Sequence, residues 1–392
     1  MAVNDVVRIG LIGVGVGARQ LLPALTRHPR VRLTAAADVR QSALTQLRAD
    51  YGVETFESAE SMCDSGAVDA VWVASPNHLH AEHAIVAAER GKHVIVSKPM
   101  AVTLEQADDM HAAALRARVV LLAGHTQSMA PTIRRMADIV RREELGRLGM
   151  LHTWHFTDWM YRPRLPDELD TARGGGPVFR QASHQVDIVR TIAGTPLRVV
   201  RAAALELDPS RPVPGAYTAY LEFEDGTPAT IVYSGYGHFD ASAFLRGSEH
   251  GSDAVDDQTA SSHGDASSDL ESDLDEAQRK DALRYGGATA GARSGTSANS
   301  LGLFGLTLVS CAEGDIRESP DGLFVYAREG RREIPVADEP RGTAELDELY
   351  AAVRDGQPMV HDGLWGLATL EVCLAIHTSS RTRQEVVLTR QK

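Results

Sequence analysis

Short apolar runs alternate with helix-like segments from residue 7 to residue 122, and this alternation limits the possible folds more than any other feature of the chain. The strand-like runs are VRIGLIGVG, VRLTAAAD, AVDAVWVAS, HVIVSKP and VVLLAGH. A helix-like segment separates each run from the next, which is typical of βαβ units in a parallel sheet. The sequence therefore predicts an α/β fold whose N-terminal domain, residues 1–124, contains a doubly wound parallel sheet.

The pattern changes beyond residue 150. The strand-like segments LHTWHFTDW, LRVVRAAALEL, YTAYLEFEDG and PATIVYSGYGHF follow in succession, and EDG at 224–226 is a hairpin signal. A helical pattern over 362–382 closes the fold. We expect a second, α+β domain over residues 125–392, built on a mainly antiparallel open sheet.

An acidic stretch at 247–300 interrupts the second domain. It contains eleven acidic and four basic residues, and it is rich in Ser, Gly, Asp and Ala. Because it offers little apolar surface to offset the entropy of ordering, we expect a mobile insertion. A short helix between Ser268 and Tyr285, leaning on the main body, is the alternative for its central part.

Composition restricts the function class. The net charge of −13 argues against a nucleic-acid partner. No apolar run approaches the roughly 20 residues of a membrane helix, and the N-terminus lacks the features of a secretion signal. The three cysteines are far apart and form no CxxC pair. We therefore expect a reduced, cytoplasmic protein without a membrane partner or a metal site.

A glycine-rich turn joins the first strand to the first helix, in the pattern G-x-G-x-x-A typical of dinucleotide-binding Rossmann domains. Its candidate cofactor-binding residues are Gly13, Gly15, Val16, Gly17 and Ala18. Glycines allow the tight turn and the close approach of a pyrophosphate to the helix N-terminus. Asp38, at the end of the second strand, is placed to bind a ribose hydroxyl and favours NAD over NADP. Arg40 leaves NADP open, because it could turn towards a phosphate.

Further polar residues follow strands at the carboxyl edge of the sheet, where ligands bind such folds. Candidate cofactor-binding residues there are Ser75, Pro76, Asn77, His80, Lys98 and Pro99. Lys98 follows the buried run HVIVS directly. It is either a solvated lysine in a turn or a catalytic lysine beside the nicotinamide.

The segment SPNHLHAEHAIVAAERGKHVIVSKP, with the order of elements around it, resembles the Gfo/Idh/MocA family of nicotinamide-dependent oxidoreductases. The family pattern Glu-Lys-Pro reads Ser97-Lys98-Pro99 here, so the resemblance implies a catalytic Lys98 without the neighbouring acid. It also implies a homodimer or homotetramer. The family signature GGGxxxDxxxHxxD reads GGGPVFRQASHQVD at 174–187, which implies a catalytic His184. Arg180 replaces the usual Asp, which in the sugar and inositol dehydrogenases helps to bind a polyol.

An arginine at this position suits an anion, because a guanidinium binds a carboxylate through two hydrogen bonds. The sequence GGGPVFRQASHQVDIVR together with YSGYGHFD is most similar to the phthalate cis-dihydrodiol dehydrogenase branch of the family. The candidate substrate residues are Arg180, Gln181, His125, Arg162, Arg164, Arg173 and His238. Surface ion pairs are the alternative role for each arginine.

The implied reaction is oxidation of a secondary alcohol, with His184 as the general base and Lys98 stabilising the developing alkoxide. The first hypothesis is a dehydrogenase of a phthalate-type cis-dihydrodiol dicarboxylate, forming a dihydroxyphthalate. The second is a sugar, inositol or glycoside dehydrogenase acting on a polyol. The third is a NAD-binding regulator without catalysis, which the retained Lys98 and His184 disfavour.

Overall fold

The computed structural model describes residues 6–238, 275–287 and 304–391. Its first sheet has six parallel strands in the order β3-β2-β1-β4-β5-β6. The strands are β1 (Val7–Ile12), β2 (Val31–Ala37), β3 (Glu54–Phe56), β4 (Ala70–Val73), β5 (His93–Ser97) and β6 (Leu121–Gly124). The doubly wound sheet is confirmed; the short edge strand β3 was not predicted.

Helices cover both faces of this sheet, as its apolar strands require. They are α1 (Val16–Arg27), α2 (Gln41–Tyr51), α3 (Ala59–Asp64), α4 (His80–Glu89) and α5 (Leu104–Ala117). The central strands β4 and β5 are buried on both faces, with Trp72 and Ile95 fully inaccessible. The sheet therefore separates two apolar clusters, and the carboxyl ends of its strands form one edge.

The second sheet has nine strands in the order β14-β13-β12-β11-β7-β10-β9-β8-β15. They are β7 (Leu148–Phe156), β8 (Leu197–Leu205), β9 (Ala216–Phe223), β10 (Pro228–Ser234), β11 (Leu306–Cys311), β12 (Gly314–Ser319), β13 (Gly322–Ala327), β14 (Gly330–Pro335) and β15 (Val386–Val387). Neighbouring strands are antiparallel except β7 and β10, which confirms the mainly antiparallel sheet. The strands from β11 to β14 were not predicted.

Two C-terminal helices connect the sheets. The remaining helices of the main body are α6 (Pro131–Arg141), α7 (Ser183–Ala193), α9 (Thr343–Arg354) and α10 (Gly363–Thr382). Helix α9 returns to the first sheet, where Leu346 and Leu349 are fully buried. Helix α10 contributes Leu370 to the core of the first sheet and Val372 to the core of the second. The two cores are therefore joined by one continuous helix.

The described part of the acidic insertion contains helix α8 (Glu276–Ala282), which agrees with the alternative of a short helix between Ser268 and Tyr285. Tyr285, just after α8, is buried in the apolar cluster that contains α1 and α2, and its hydroxyl donates a hydrogen bond to Asp50. The segment 275–287 is thus packed on the main body. Phe239 and Asp240, at the end of the segment YSGYGHFD, lie outside the described residues, as do residues 247–274 and 288–300 of the predicted mobile insertion.

Within the described residues, no helix combines the length and apolar character that crossing a bilayer requires.

Candidate active site

The glycine turn has the geometry that a pyrophosphate site needs. Gly13 has φ +86°, and a Cβ there would lie 2.7 Å from the Cα of Ser75. Its N–H donates to the carbonyl of Ala37 at 2.8 Å, so the turn passes tightly between the ends of β2 and β4. Among the described residues, nothing lies within 4 Å of a Cβ at Gly15 or Gly17. The turn and the N-terminus of α1 therefore fit a dinucleotide pyrophosphate.

Asp38 and Arg40 flank this turn and bind each other. One oxygen of Asp38 accepts the N–H of Val14 at 2.7 Å, and the other accepts the N–H of Arg40 at 2.8 Å. The guanidinium of Arg40 lies 3.3 Å from Asp38 and donates to the carbonyls of Val14, at 2.6 Å, and Tyr285, at 3.3 Å. Arg40 is therefore already paired within the chain.

The loop after β4 is fixed by side chains from its own segment. Asn77 is buried and donates to the carbonyl of Gly174 at 2.7 Å, which ties this loop to the glycine run. The ring nitrogens of His80 lie 2.7 Å from the carbonyl oxygen of Pro99 and 2.8 Å from that of Ser75. His80 is 1% exposed. We therefore interpret His80 as a residue that holds two loops together, in place of the expected contact with the cofactor.

Lys98 lies directly after β5, at the carboxyl edge of the parallel sheet, and its peptide bond to Pro99 is cis. Its side chain is half-buried, and its amine donates to the carbonyl of Arg180 at 2.5 Å. Burial, and next the positive charge of Arg180, lower the pKa of Lys98 to about 7. Ser97, which replaces the Glu of the family pattern, has no carboxylate to compensate the charge of Lys98. Its hydroxyl accepts the indole N–H of Trp72 at 3.1 Å.

His184 lies at the start of α7, after a π-helical turn over Val178–Ala182. The ring is 8% exposed and lies 4.7 Å, centroid to centroid, from the ring of Phe304. Its Nδ1 is buried without a hydrogen-bond partner in the described part of the chain. Burial, followed by the charges of Lys98 and His125, lowers the pKa of His184 well below 6.5. The imidazole is therefore neutral at physiological pH.

A buried carboxylate anchors α7 beside these two groups. Asp187 accepts hydrogen bonds from the hydroxyl of Ser128, from Trp365 at 2.6 Å and from Thr369 at 2.9 Å. His125, predicted to contact substrate, is 2% exposed, and its Nδ1 lies 3.7 Å from Asp187. Burial lowers the pKa of His125 to about 4, so its ring is neutral at physiological pH. Because the ring is buried next to Asp187, we interpret His125 as a structural support of the site. The sequence did not predict these hydrogen bonds of Asp187, because Ser128 lies in a segment far from that of Trp365 and Thr369.

Arg180 is paired with a carboxylate that was not predicted. Its guanidinium lies 3.1 Å from Glu168, which also lies 3.2 Å from the amine of Lys280 and 3.6 Å from Arg164. Burial opposes ionisation of Glu168, but these three cations together hold its pKa at about 2. Arg164 is buried and stacks 3.7 Å from the ring of Trp159. Lys280 comes from α8, which no motif had marked as part of the site.

The other predicted substrate residues lie nearer the surface. Arg162 pairs with Asp158, and Arg173 pairs with Asp167 at 2.6 Å. Both arginine side chains are about half exposed, as expected for the alternative of surface ion pairs. Gln181 is half-buried, and His238 is exposed, with its ring 5.7 Å from that of Tyr161.

Residues 7–125 match the family described as "Oxidoreductase family, NAD-binding Rossmann fold", and residues 133–251 match "GFO/IDH/MocA C-terminal domain". The chain is 33% identical over 372 residues to 1-carboxy-3-chloro-3,4-dihydroxycyclohexa-1,5-diene dehydrogenase of Comamonas testosteroni, covering 94% of each protein. The chain belongs to the Gfo/Idh/MocA family of oxidoreductases. The resemblance seen in the sequence is therefore confirmed.

Solved structures of Gfo/Idh/MocA-like proteins share the whole architecture. A putative dehydrogenase from Bordetella bronchiseptica RB50 is 36% identical, with a TM-score of 0.87, covering 98% of this chain and 100% of that one. The WlbA dehydrogenase from Bordetella pertussis, solved with NADH and UDP-GlcNAcA, is 21% identical with a TM-score of 0.71. It covers 98% of this chain and 99% of that one, and at this identity the likeness shows the fold alone.

We predict that Gly13→Ala lowers the stability of the fold, whereas Gly15→Ala weakens cofactor binding. Alanine at 13 requires a left-handed conformation and meets Ser75, so we expect a loss of about 2 kcal/mol or more in the free energy of unfolding. Alanine at 15 meets open space, so stability should hold while NADH affinity falls. Urea unfolding and NADH fluorescence titration measure the two effects. Unchanged NADH affinity in Gly15→Ala would contradict the pyrophosphate site.

Proposed function

We propose that this chain is a NAD-dependent dehydrogenase that oxidises a secondary alcohol of a carboxylated cyclohexadiene cis-diol. The finer proposal is a phthalate-type dihydrodiol dicarboxylate, converted to a dihydroxyphthalate. The observation that carries the proposal is the hydrogen bond from the amine of Lys98 to the main-chain carbonyl of Arg180, whose guanidinium belongs to the group of cations around Glu168. The name of the Comamonas testosteroni relative, a carboxylated diene diol dehydrogenase, supports the same substrate class.

The preference for NAD rests on Asp38 and Arg40. A carboxylate at the end of β2 binds a ribose diol and repels a 2′-phosphate. Arg40 would have to leave Asp38 and two carbonyl acceptors to bind that phosphate. The same contacts therefore support NAD over NADP.

Lys98 is the better matched proton acceptor of the two candidate groups. NAD supplies the hydride acceptor when it is bound. Lys98, with a pKa of about 7, is substantially unprotonated at pH 8 and can take the hydroxyl proton. The resulting ammonium is then placed to stabilise charge on the substrate oxygen. Burial lowers the pKa of His184, predicted as the general base, well below 6.5, and we propose that its neutral ring orients the hydroxyl.

The substrate class is tested by NADH formation at 340 nm. We expect turnover with a phthalate cis-dihydrodiol and none with inositols or hexoses, because Arg180 replaces the polyol-binding acid. His184→Ala should lower turnover at least a hundredfold. Turnover on polyols alone would favour the sugar dehydrogenase. NAD binding without turnover on either panel would favour the regulator.

The assignment of Lys98 predicts a particular pH profile. We expect kcat/KM to rise with pH through about 7 as Lys98 loses its proton, and to remain level above pH 8. Lys98→Arg should be inactive up to pH 10, since a guanidinium does not release its proton there. His184→Asn should keep the inflection at a lower rate. A profile that is flat from pH 6 to pH 9 would instead indicate His184 as the base.

We also propose that the chain forms a homodimer or homotetramer through the open face of the second sheet. Met150, Trp154 and Tyr220 are at least 37% exposed. Trp154 and Tyr220 lie on one face, because β10 pairs Val232 with Trp154 and Thr230 with Tyr220. Light scattering should give a multiple of 42.3 kDa, and Trp154→Glu should lower that mass. Leu115→Glu, an exposed site on α5, is the matched control; equal behaviour of both variants would contradict the interface.

A further inference from the structure

We propose that Lys280, on helix α8 of the acidic insertion, completes with Arg180 and Arg164 an anion site that binds a carboxylate of the substrate. The insertion then acts as part of the active-site wall and selects anionic diols over neutral ones. This inference rests on the proposed function, and it adds a residue from a segment that no motif of the family covers.

The site is organised around the buried carboxylate of Glu168. Its Oε1 lies 3.1 Å from the guanidinium of Arg180 and 3.6 Å from that of Arg164, and its Oε2 lies 3.2 Å from the amine of Lys280. The main-chain N–H of Leu165 donates to the same Oε2 at 2.9 Å. One negative charge therefore holds three positive charges in place without neutralising them.

The next carboxylate does not supply the missing negative charge. Glu276 is engaged by the guanidinium of Arg211 and accepts the main-chain N–H of Arg164 at 2.7 Å. Among the described residues, four cations thus share two carboxylates in this cluster. Nearby Asp158 and Asp167 pair with Arg162 and Arg173. The cluster retains a surplus of positive charge, which favours a bound anion.

Arg180 is the most accessible of the three cations around Glu168. The side chain of Arg180 is 29% exposed, against 12% for Lys280 and 6% for Arg164. The carbonyl of the same Arg180 accepts the hydrogen bond from Lys98. A carboxylate on Arg180 would therefore lie beside the amine that we assign to proton transfer. Charged groups that are already ordered and partly desolvated bind an anion at little cost in conformational entropy.

Lys280 is held in position from both ends of its segment. At the start of α8, Glu276 accepts the main-chain N–H of Arg164 at 2.7 Å. After the helix, the carbonyl of Tyr285 accepts from Arg40 at 3.3 Å, beside the glycine turn. The segment 275–287 thus spans from the cofactor turn to Glu168, which makes Lys280 a fixed part of the site.

The test compares Lys280→Gln with Arg284→Gln. Arg284 lies on the same segment and pairs with Asp281 at 2.9 Å, so its variant removes an equal charge outside the cluster. Phthalate, a dicarboxylate that cannot be oxidised, is titrated calorimetrically into each protein saturated with NADH. Dimethyl phthalate is the uncharged control ligand. Urea unfolding verifies that each variant is folded.

We expect phthalate affinity to fall about tenfold or more in Lys280→Gln, to hold in Arg284→Gln and to recover in Lys280→Arg. Equal affinity for phthalate and dimethyl phthalate, or equal affinity of both glutamine variants, would overturn the anion site. Charge-selective phthalate binding without any turnover of the dihydrodiol would support the site while rejecting the proposed reaction. Turnover of the dihydrodiol that is unchanged in Lys280→Gln would support the proposed reaction while rejecting the anion site.

Discussion

The contact between the amine of Lys98 and the carbonyl of Arg180 is the interaction on which the candidate active site depends. It joins the end of β5 in the first sheet to the π-helical turn that precedes α7 in the second domain. The side chain of Lys98 is half-buried, and Ser97 offers no carboxylate to compensate its charge. A lysine in this setting has a pKa near neutrality, so one geometric constraint both places the group and determines its protonation state.

Buried polar groups anchor the helix that follows the π-helical turn. Asp187 is fully buried and binds Trp365 and Thr369 on α10, the helix that runs through both apolar cores. Arg190 stacks 3.9 Å from the ring of Trp365 and lies 3.7 Å from Asp187. A buried pair of this kind contributes little net stability, but removing either partner leaves an unpaired charge. We interpret the network as fixing α7, and with it His184, relative to the first sheet.

The first sheet and its helices were predictable from the sequence, because their apolar residues follow a local periodicity. Alternating strands and helices place Gly13, Asp38 and Lys98 at strand ends, and parallel topology brings those ends to one edge. Strands β11 to β14 were missed because the predicted strand series stopped before the acidic insertion. The Glu168–Lys280 pair joins residues 112 positions apart in sequence, and such a contact leaves no periodic signal. Arg180 was predicted to bind a substrate anion, whereas in the structure its guanidinium already forms an ion pair with Glu168.

In the proposed reaction, that organisation would connect the charge of the substrate to proton transfer. The positive charge of Arg180 contributes to the low pKa of Lys98, after burial itself. A carboxylate bound at Arg180 would offset that charge and raise the pKa of Lys98, which would stabilise the ammonium formed by proton transfer and reduce the fraction of amine that is unprotonated at neutral pH. A neutral polyol would leave Arg180 uncompensated and the amine a weaker base. Selection of the substrate and the protonation equilibrium of Lys98 would then share one electrostatic origin, in which Lys280 takes part through its ion pair with Glu168.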